Sequence, residues 1–376
     1  MQFNNISYGK ALPGTYLDES FRALDKERCI SVPPVLTKDT ITEVQLGNAL
    51  VSNLYMPGNN PEHYEKFLDH RFNQASSVVI DFEDAMPEED IDDAKEYLLE
   101  FLDKLAKECK EHPVSSSHFP FLFIRVRNYD NFTDLISSFT KEHLEVITGF
   151  VFPKADKFSM ESYFNLLYST AEDNEVKLYG IPILETADVV DKSTRTDFLL
   201  DAVRVVEKYK SCIPAIQIGG TDMCGLLGLR RDTKHTIYDI KVINDCIVDI
   251  ISSFRKHYLC SPTAHPISIL AAPCEFYGNE EDSPEIQGLL QELGMDVLNG
   301  MSGKIAIHPT QVRHINDAFM ISKEDYINAC CILHWDEAVF PAEGAYQMNE
   351  TNPHKRWAER VVERSNVLGI WNTTKE

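Results

Sequence analysis

The sequence predicts an α/β fold, a (β/α)8 TIM barrel, on three observations. Eight short apolar, β-branched runs recur along the chain, amphipathic helical stretches lie between them, and polar residues collect just after each run. The runs are "ALVSNLYM" to Met56, "SVVIDF" to Phe82, "FLFIRV" to Val126, "GFVF" to Phe152, "LYGIPIL" to Leu184, "AIQIGG" to Gly220, "ISILAA" to Ala272 and "KIAI" to Ile307. Strands this uniformly apolar belong to a parallel sheet covered by helices. In "IDDAKEYLLEFLDKLAKEC", Ile91, Ala94, Leu98, Leu102, Leu105 and Cys109 recur at helical spacing and form one stripe, and "YDIKVINDCIVDIISSFRKHYL" has the same period. A doubly wound open sheet shares this alternation and differs in strand order, which periodicity does not carry. Eight units fit the closed barrel of roughly 250 residues.

The barrel is expected over residues 49–320. Residues 1–48, with Pro13, Gly14, Pro33 and Pro34, read as an irregular N-terminal extension with one short helix. Residues 321–376 read as a C-terminal helical lid or oligomerisation segment.

The 376 residues are enough for a substantial core. Lys and Arg total 36 against 59 Asp and Glu, a formal charge of −23, which opposes binding to nucleic acid or anionic membranes but leaves a locally basic pocket possible. The nine cysteines are odd in number and show no CxxC spacing, as expected of reduced core thiols. "MQFNNISYGK" lacks a basic leader and an apolar export core, and no apolar run approaches the ~20 residues that span a bilayer. A cytoplasmic protein is expected.

After the strands come Pro57-Gly58-Asn59, Glu83-Asp84, Arg125 with Arg127, Pro153-Lys154, Glu185-Thr186, Thr221-Asp222 and His308-Pro309. In a parallel barrel all of these open on one face, where active sites are built. Glu83, Asp84, Glu185 and Asp222 together would repel one another unless a cation or protons intervene. A hard ion held by oxygen ligands, Mg²⁺, answers that need, with Glu185 and Asp222 as its ligands. Singly, an acid at a strand end is more often a helix cap or an ion-pair partner than a metal ligand; together, Glu185 and Asp222 favour the metal.

Arg125 and Arg127, two apart, would face the same way in a regular strand. Arg125 could take a substrate carboxylate in a bidentate pair, or simply neutralise Glu83 or Asp84. Lys154, Gly220 and Thr221 join Arg125 and Arg127 as expected substrate contacts; a Schiff base at Lys154 has no support from its neighbours. "GMSGKI" lacks the first glycine and the Ser or Thr of a phosphate-binding loop, and "GGTDMCGLLG" lacks dinucleotide spacing. His308 reads as a core residue fixing the turn after the last strand.

Seven blocks, "LYMPGNNPEHYEKF", "VVIDFEDAMPEED", "IRVRN", "GFVFPKADK", "GIPILETADVV", "IGGTDMCGLLG" and "GKIAIHPTQVRHINDAF", follow in order. Over about residues 50–320 they resemble the signature blocks of the citrate lyase β-subunit-like family, the HpcH/HpaI aldolase group, and within it the divergent carbon–carbon bond lyase branch. The resemblance implies a barrel that holds Mg²⁺ on Glu185 and Asp222. It implies Arg125 at the carboxylate-binding position, Glu83 and Asp84 behind the metal, and a homo-oligomer with a C-terminal lid. Three positions depart from the family pattern: Val51 replaces the arginine that opens the first strand, Arg127 stands where many members have Asn, and "YQMNE" offers Asn349 or Glu350 where a lid aspartate is common.

The expected function is therefore a Mg²⁺-dependent carbon–carbon lyase of aldolase or retro-Claisen type, acting on a small carboxylate or its acyl-CoA thioester. Arg125, Glu83, Asp84 and Glu350 are the expected catalytic residues. Malate synthase-like condensation with thioester hydrolysis, and a non-catalytic barrel that binds metal and dicarboxylate, remain alternatives.

Overall fold

Eight parallel strands pair in chain order and close on themselves: β1 Ser52–Pro57, β2 Ser77–Asp81, β3 Phe121–Arg125, β4 Gly149–Phe152, β5 Tyr179–Leu184, β6 Ala215–Ile218, β7 Ser268–Ala271 and β8 Gly303–Ala306. Closure is made by Leu54 of β1 beside Ala306 of β8, which excludes the open sheet. The computed structural model describes residues 29–31, 36–84, 86–113, 118–260, 266–334, 339–341 and 348–372. Pro13, Gly14, Pro33 and Pro34, and Tyr346 and Gln347 of "YQMNE", lie outside the described residues.

Each strand sits where its apolar run predicts, and the helices follow the same logic. Helix Ile91–Glu111 buries Ala94, Leu98, Phe101, Leu102 and Leu105, while Cys109 is only half-buried. Helix Lys241–Cys260 starts later than its pattern because "IYD" winds first as a 3₁₀ turn over Ile237–Asp239. Local chemistry sets other starts: Thr42 and Gln45 form a capping box at helix Glu43–Ala49, and Asn60 with Pro61 opens helix Pro61–Leu68. Phe123, Phe150, Phe152 and Phe164 are fully buried in the barrel wall. Each such side chain stabilises the fold by about 1.5–3 kcal/mol.

The chain divides into two compact units, residues 38–319 with the whole barrel, and residues 1–37 with 320–376. In the second unit, helices Lys323–His334 and Thr351–Leu368 pack through Ala329, Ile332, Ala358 and Val361, joined by Ile321. Strand Ile370–Trp371 pairs antiparallel with Cys29–Ser31, and Val339–Pro341 pairs with Met348–Glu350. Among the described residues no helix is long and apolar enough to cross a membrane. Among the described residues, Cys109, Cys212, Cys224, Cys246, Cys274, Cys330 and Cys331 are not in disulfides.

Candidate active site

The parallel register sets Asp81, the last residue of β2, beside Arg125, the last residue of β3. Neighbours in register present their side chains to the same face, and these two meet as an ion pair. Arg125 Nε donates to Asp81 Oδ1 at 2.6 Å and Nη2 to Oδ2 at 2.7 Å. The third nitrogen, Nη1, lies 3.0 Å from Glu83 Oε2 and 3.3 Å from Asp84 Oδ2. Asp81 Oδ1 also accepts the Glu83 backbone N–H at 3.0 Å. The guanidinium, 9 % exposed as a residue, additionally lies over the Tyr55 ring with its carbon 5.2 Å from the centroid.

The bidentate edge expected to hold a substrate carboxylate is thus occupied by Asp81. Arg125 meets three acids, Asp81, Glu83 and Asp84. Arg127 does not join Arg125: the strand ends at Arg125, and Arg127 Nη1 donates to the Met86 carbonyl at 3.1 Å.

Lys154 follows β4 with a left-handed backbone, φ 48°. That turn points its N–H at Glu185 Oε1, 2.8 Å away, while its ammonium pairs with Glu83 and lies 3.5 Å from Asp84 Oδ1. Burial works against the Lys154 charge, but Glu83, Asp84 and Asp222 outweigh it and raise its pKa. Glu185, 3 % exposed, reaches over Gly219, where an added Cβ would fall 2.0 Å from Oε2. Asp222, in the first turn of helix Gly220–Leu226, lies near enough to Glu185 for its charge to act on it.

Burial and the charge of Asp222 push Glu185 up to about 8. Burial and Asp84 raise Asp222, and burial with the Asp84 contact brings Glu83 to about 7. Neighbouring carboxylates whose pKa values are raised by burial and by one another's charge, as Asp222 acts on Glu185 and Asp84 on Asp222, are a place for a cation. Among the described residues no group of three or more His, Cys, Asp and Glu side chains is arranged to hold a metal. A pair of carboxylates matches what Mg²⁺ asks of a protein, since it keeps several waters and takes one or two carboxylates plus substrate oxygens. The residues present fit that ion.

Glu185, Asp222, Thr221, Gly219, Asp81, Asp84 and Arg125 line one cleft of about 390 Å³, with Tyr55, Gln217 and Glu275, and with Met56, Pro57, Pro273, Ile305 and Ile307 on its apolar side. A chain-wide match now becomes informative: a family described as C–C bond lyase of the TIM-barrel fold covers residues 41–370. The chain belongs to this lyase family. No protein of curated function matches it by sequence. Among solved structures, a citrate lyase from Burkholderia xenovorans LB400 is similar at TM-score 0.60 and 12 % identity, covering 90 % of this chain and 98 % of that one. The protein CitE of Mycobacterium tuberculosis, solved with magnesium, acetoacetate and coenzyme A, is similar at TM-score 0.53 and 18 % identity, covering 85 % of this chain and 99 % of that one. At such identities the likeness is one of fold.

Within this lyase-family barrel, Gly220 is buried at the helix start, where a Cβ would fall 2.8 Å from Ala272 Cβ. It keeps the helix close to β7. Glu350 belongs to the other compact unit, ahead of helix Thr351–Leu368, with its N–H donated to His354 Nδ1 at 3.1 Å. His308 departs from the core residue expected: it is half-buried, stacks on Tyr277 at 4.2 Å and bonds Thr310 Oγ1 at 2.9 Å, so it does hold the turn after β8.

Sequence reading missed Asp81, which sits inside an apolar run, and a buried polar cluster behind the cleft. Lys304 of β8 donates to Glu292 Oε1 and Asp296 Oδ2, each at 2.8 Å, and to the Ala272 carbonyl at 2.7 Å. Arg231 Nη1 lies 3.0 Å from Glu292 Oε2, and Tyr238 donates to Asp296 at 2.7 Å. The signal was legible: a lysine in "GKIAI" has no place in an apolar strand without buried acids to meet it.

Proposed function

We propose that the protein is a Mg²⁺-dependent carbon–carbon lyase that cleaves a bond next to a carbonyl in a small carboxylate or its acyl-CoA thioester. The observation that carries this reading is the Glu185–Asp222 pair: two acids lining one cleft at the rim of a closed barrel, Glu185 raised by burial and the charge of Asp222 and Asp222 raised by burial and the charge of Asp84, beside a cluster of three acids and two bases. Glu185 and Asp222 would hold the metal. When bound, Mg²⁺ supplies positive charge opposite the substrate oxygen on which negative charge collects as the bond breaks.

The chain's own residues do the rest. Arg125 locks Asp81, Glu83 and Asp84 in place, so that the cleft keeps its shape as charge moves. The Asp84 N–H donates to Glu83 Oε2 at 3.2 Å; burial and the Asp84 contact bring Glu83 to about 7, whereas at Asp84 burial is outweighed by Glu83, Arg125 and Lys154, which hold its pKa low. Asp84, which lines the cleft, accepts the proton of a substrate hydroxyl directly or through water, and Glu83 behind it shares that proton. Lys154 holds the Glu83 end of the pair, and Thr221 contacts the substrate beside Asp222.

The test is a panel of 3-hydroxyacyl-CoA thioesters and 2-oxo acids, followed by mass spectrometry for paired fragments. Cleavage should require Mg²⁺, stop with EDTA, and disappear in Asp222→Asn. Cleavage that survives both treatments contradicts the reading.

A further inference from the structure

The cleft has an acidic half and an apolar half, and its charges are already spoken for. Among the described residues lining it, Arg125 is the one cation, and all three of its nitrogens are engaged by Asp81, Glu83 and Asp84. Lys154, just behind, is tied to Glu83 and Asp84. A divalent ion on Glu185 and Asp222 would balance those two acids. Asp81, Glu83 and Asp84 together already exceed the charge of Arg125 and Lys154. Glu275 adds a further carboxylate to the lining, with Arg230 Nε 3.8 Å away.

Among the described lining residues, a second carboxylate on a bound substrate would therefore find no cation that is not already engaged by an acid. Facing the acids are Met56, Pro57, Pro273, Ile305 and Ile307, which offer contact to carbon and nothing to charge.

One polar group interrupts this arrangement. Gln217 of β6 is 5 % exposed, and its Oε1 accepts the Tyr55 hydroxyl at 2.8 Å. Its Nε2 has no acceptor among the described residues, although Gln217 lines the cleft. Nε2 is not among the buried side-chain atoms that lack a partner, so this donor opens on the cleft; held in place by Tyr55, it can donate to an acceptor oxygen on whatever fills the space, and a site built around such a donor disfavours molecules lacking it.

We infer that the part of the substrate held inside the cleft carries a single anionic group and is otherwise uncharged and apolar, except for one acceptor oxygen placed against Gln217. The inference rests on the reading of Glu185 and Asp222 as the metal-holding pair. It makes Gln217 a specificity-determining residue, and it excludes polycarboxylates.

Three probes of matched length separate the elements of the inference in calorimetric titrations of the full chain saturated with Mg²⁺. They are 2-oxopentanoate, with one carboxylate and an apolar tail; 2-oxoglutarate, with a second carboxylate; and the 5-methyl ester of 2-oxoglutarate, with an uncharged acceptor oxygen. The ester should bind most tightly, and 2-oxoglutarate should bind about tenfold or more weaker than the ester, the penalty for an unmatched charge. Gln217→Leu should bring the ester down to the affinity of 2-oxopentanoate. Ile307→Arg, which adds a cation on the apolar wall at a position 39 % exposed, should narrow the gap between 2-oxoglutarate and the ester.

If wild-type protein binds Mg²⁺ and prefers 2-oxoglutarate, or if Gln217→Leu leaves the ester unaffected, the inference is overturned while the metal reading stands. If wild-type protein binds no Mg²⁺, both are overturned.

Discussion

Arg125 neutralises its own neighbours, and this can be measured against its removal. Asp81 is 2 % exposed and makes two short bonds to Arg125, so breaking the pair from either side leaves a charge in the protein interior. Removing one partner of a buried ion pair costs roughly 3–5 kcal/mol. The two sides are not equivalent. In Asp81→Asn the guanidinium keeps Glu83 at 3.0 Å and Asp84 at 3.3 Å, which places the loss near the lower end of that range, about 3 kcal/mol. In Arg125→Met, Asp81 and Glu83 are left buried with only Lys154 nearby, and the loss should reach the upper end, about 5 kcal/mol.

The acids left behind in Arg125→Met take up protons in the folded state, so their folded pKa values rise above their unfolded ones. Stability from such groups is present below the unfolded pKa and lost as pH rises. Arg125→Met should therefore be less damaging near pH 5 than near pH 8, whereas Asp81→Asn should show little such recovery. Urea unfolding followed by far-UV circular dichroism, at both pH values and with the double variant, gives the two losses and their coupling. Equal losses, or a pH-independent Arg125→Met, would refute the neutralising role and return Arg125 to the substrate.

Three further outcomes are expected. Gly219→Ala puts a Cβ 2.0 Å from Glu185 Oε2 and so must displace that carboxylate; Mg²⁺ affinity should fall by about 10–100-fold, the scale seen when a ligand's support is removed, with circular dichroism unchanged. Lys304→Met strands Glu292 and Asp296 in the interior and should cost about 3–5 kcal/mol in denaturant unfolding, with a loss under 1 kcal/mol contradicting the cluster's role. Metal-free protein should lose stability as pH rises from about 5 to 8, because burial lifts Glu185 to about 8 and Glu83 to about 7, so the folded state holds protons that the unfolded state has released; thermal midpoints with and without excess Mg²⁺ should converge as the pH is lowered.

Much of this was legible in the sequence because parallel strands are apolar along their whole length, so the first polar residue after each one marks the rim. Glu83, Asp84, Glu185 and Asp222 were found that way. Asp81 was not, since it ends "SVVID" inside the run, and only the register beside Arg125 makes an acid there tolerable. Arg127 was misjudged by extending strand alternation past Arg125, where β3 ends. The Lys304 cluster joins residues from 231 to 304, and although "KIAI" reads as the last strand, no spacing connects its lysine to Glu292, Asp296 or Arg231. Gln217 in "AIQIGG" reads as one polar residue in a strand; its importance depends on Tyr55, which no spacing connects to it.

The pairing of Glu185 with Asp222 is tested most directly by calorimetric titration of Mg²⁺ into wild-type protein, Glu185→Gln and Asp222→Asn between about pH 6 and 9. Wild-type protein should bind Mg²⁺ with an affinity that weakens about tenfold per pH unit below about 8, as the ion competes with a proton on Glu185, and levels off above it. Both variants should show no binding. Wild-type affinity in both variants, or an affinity flat across that range, would contradict a metal at this rim.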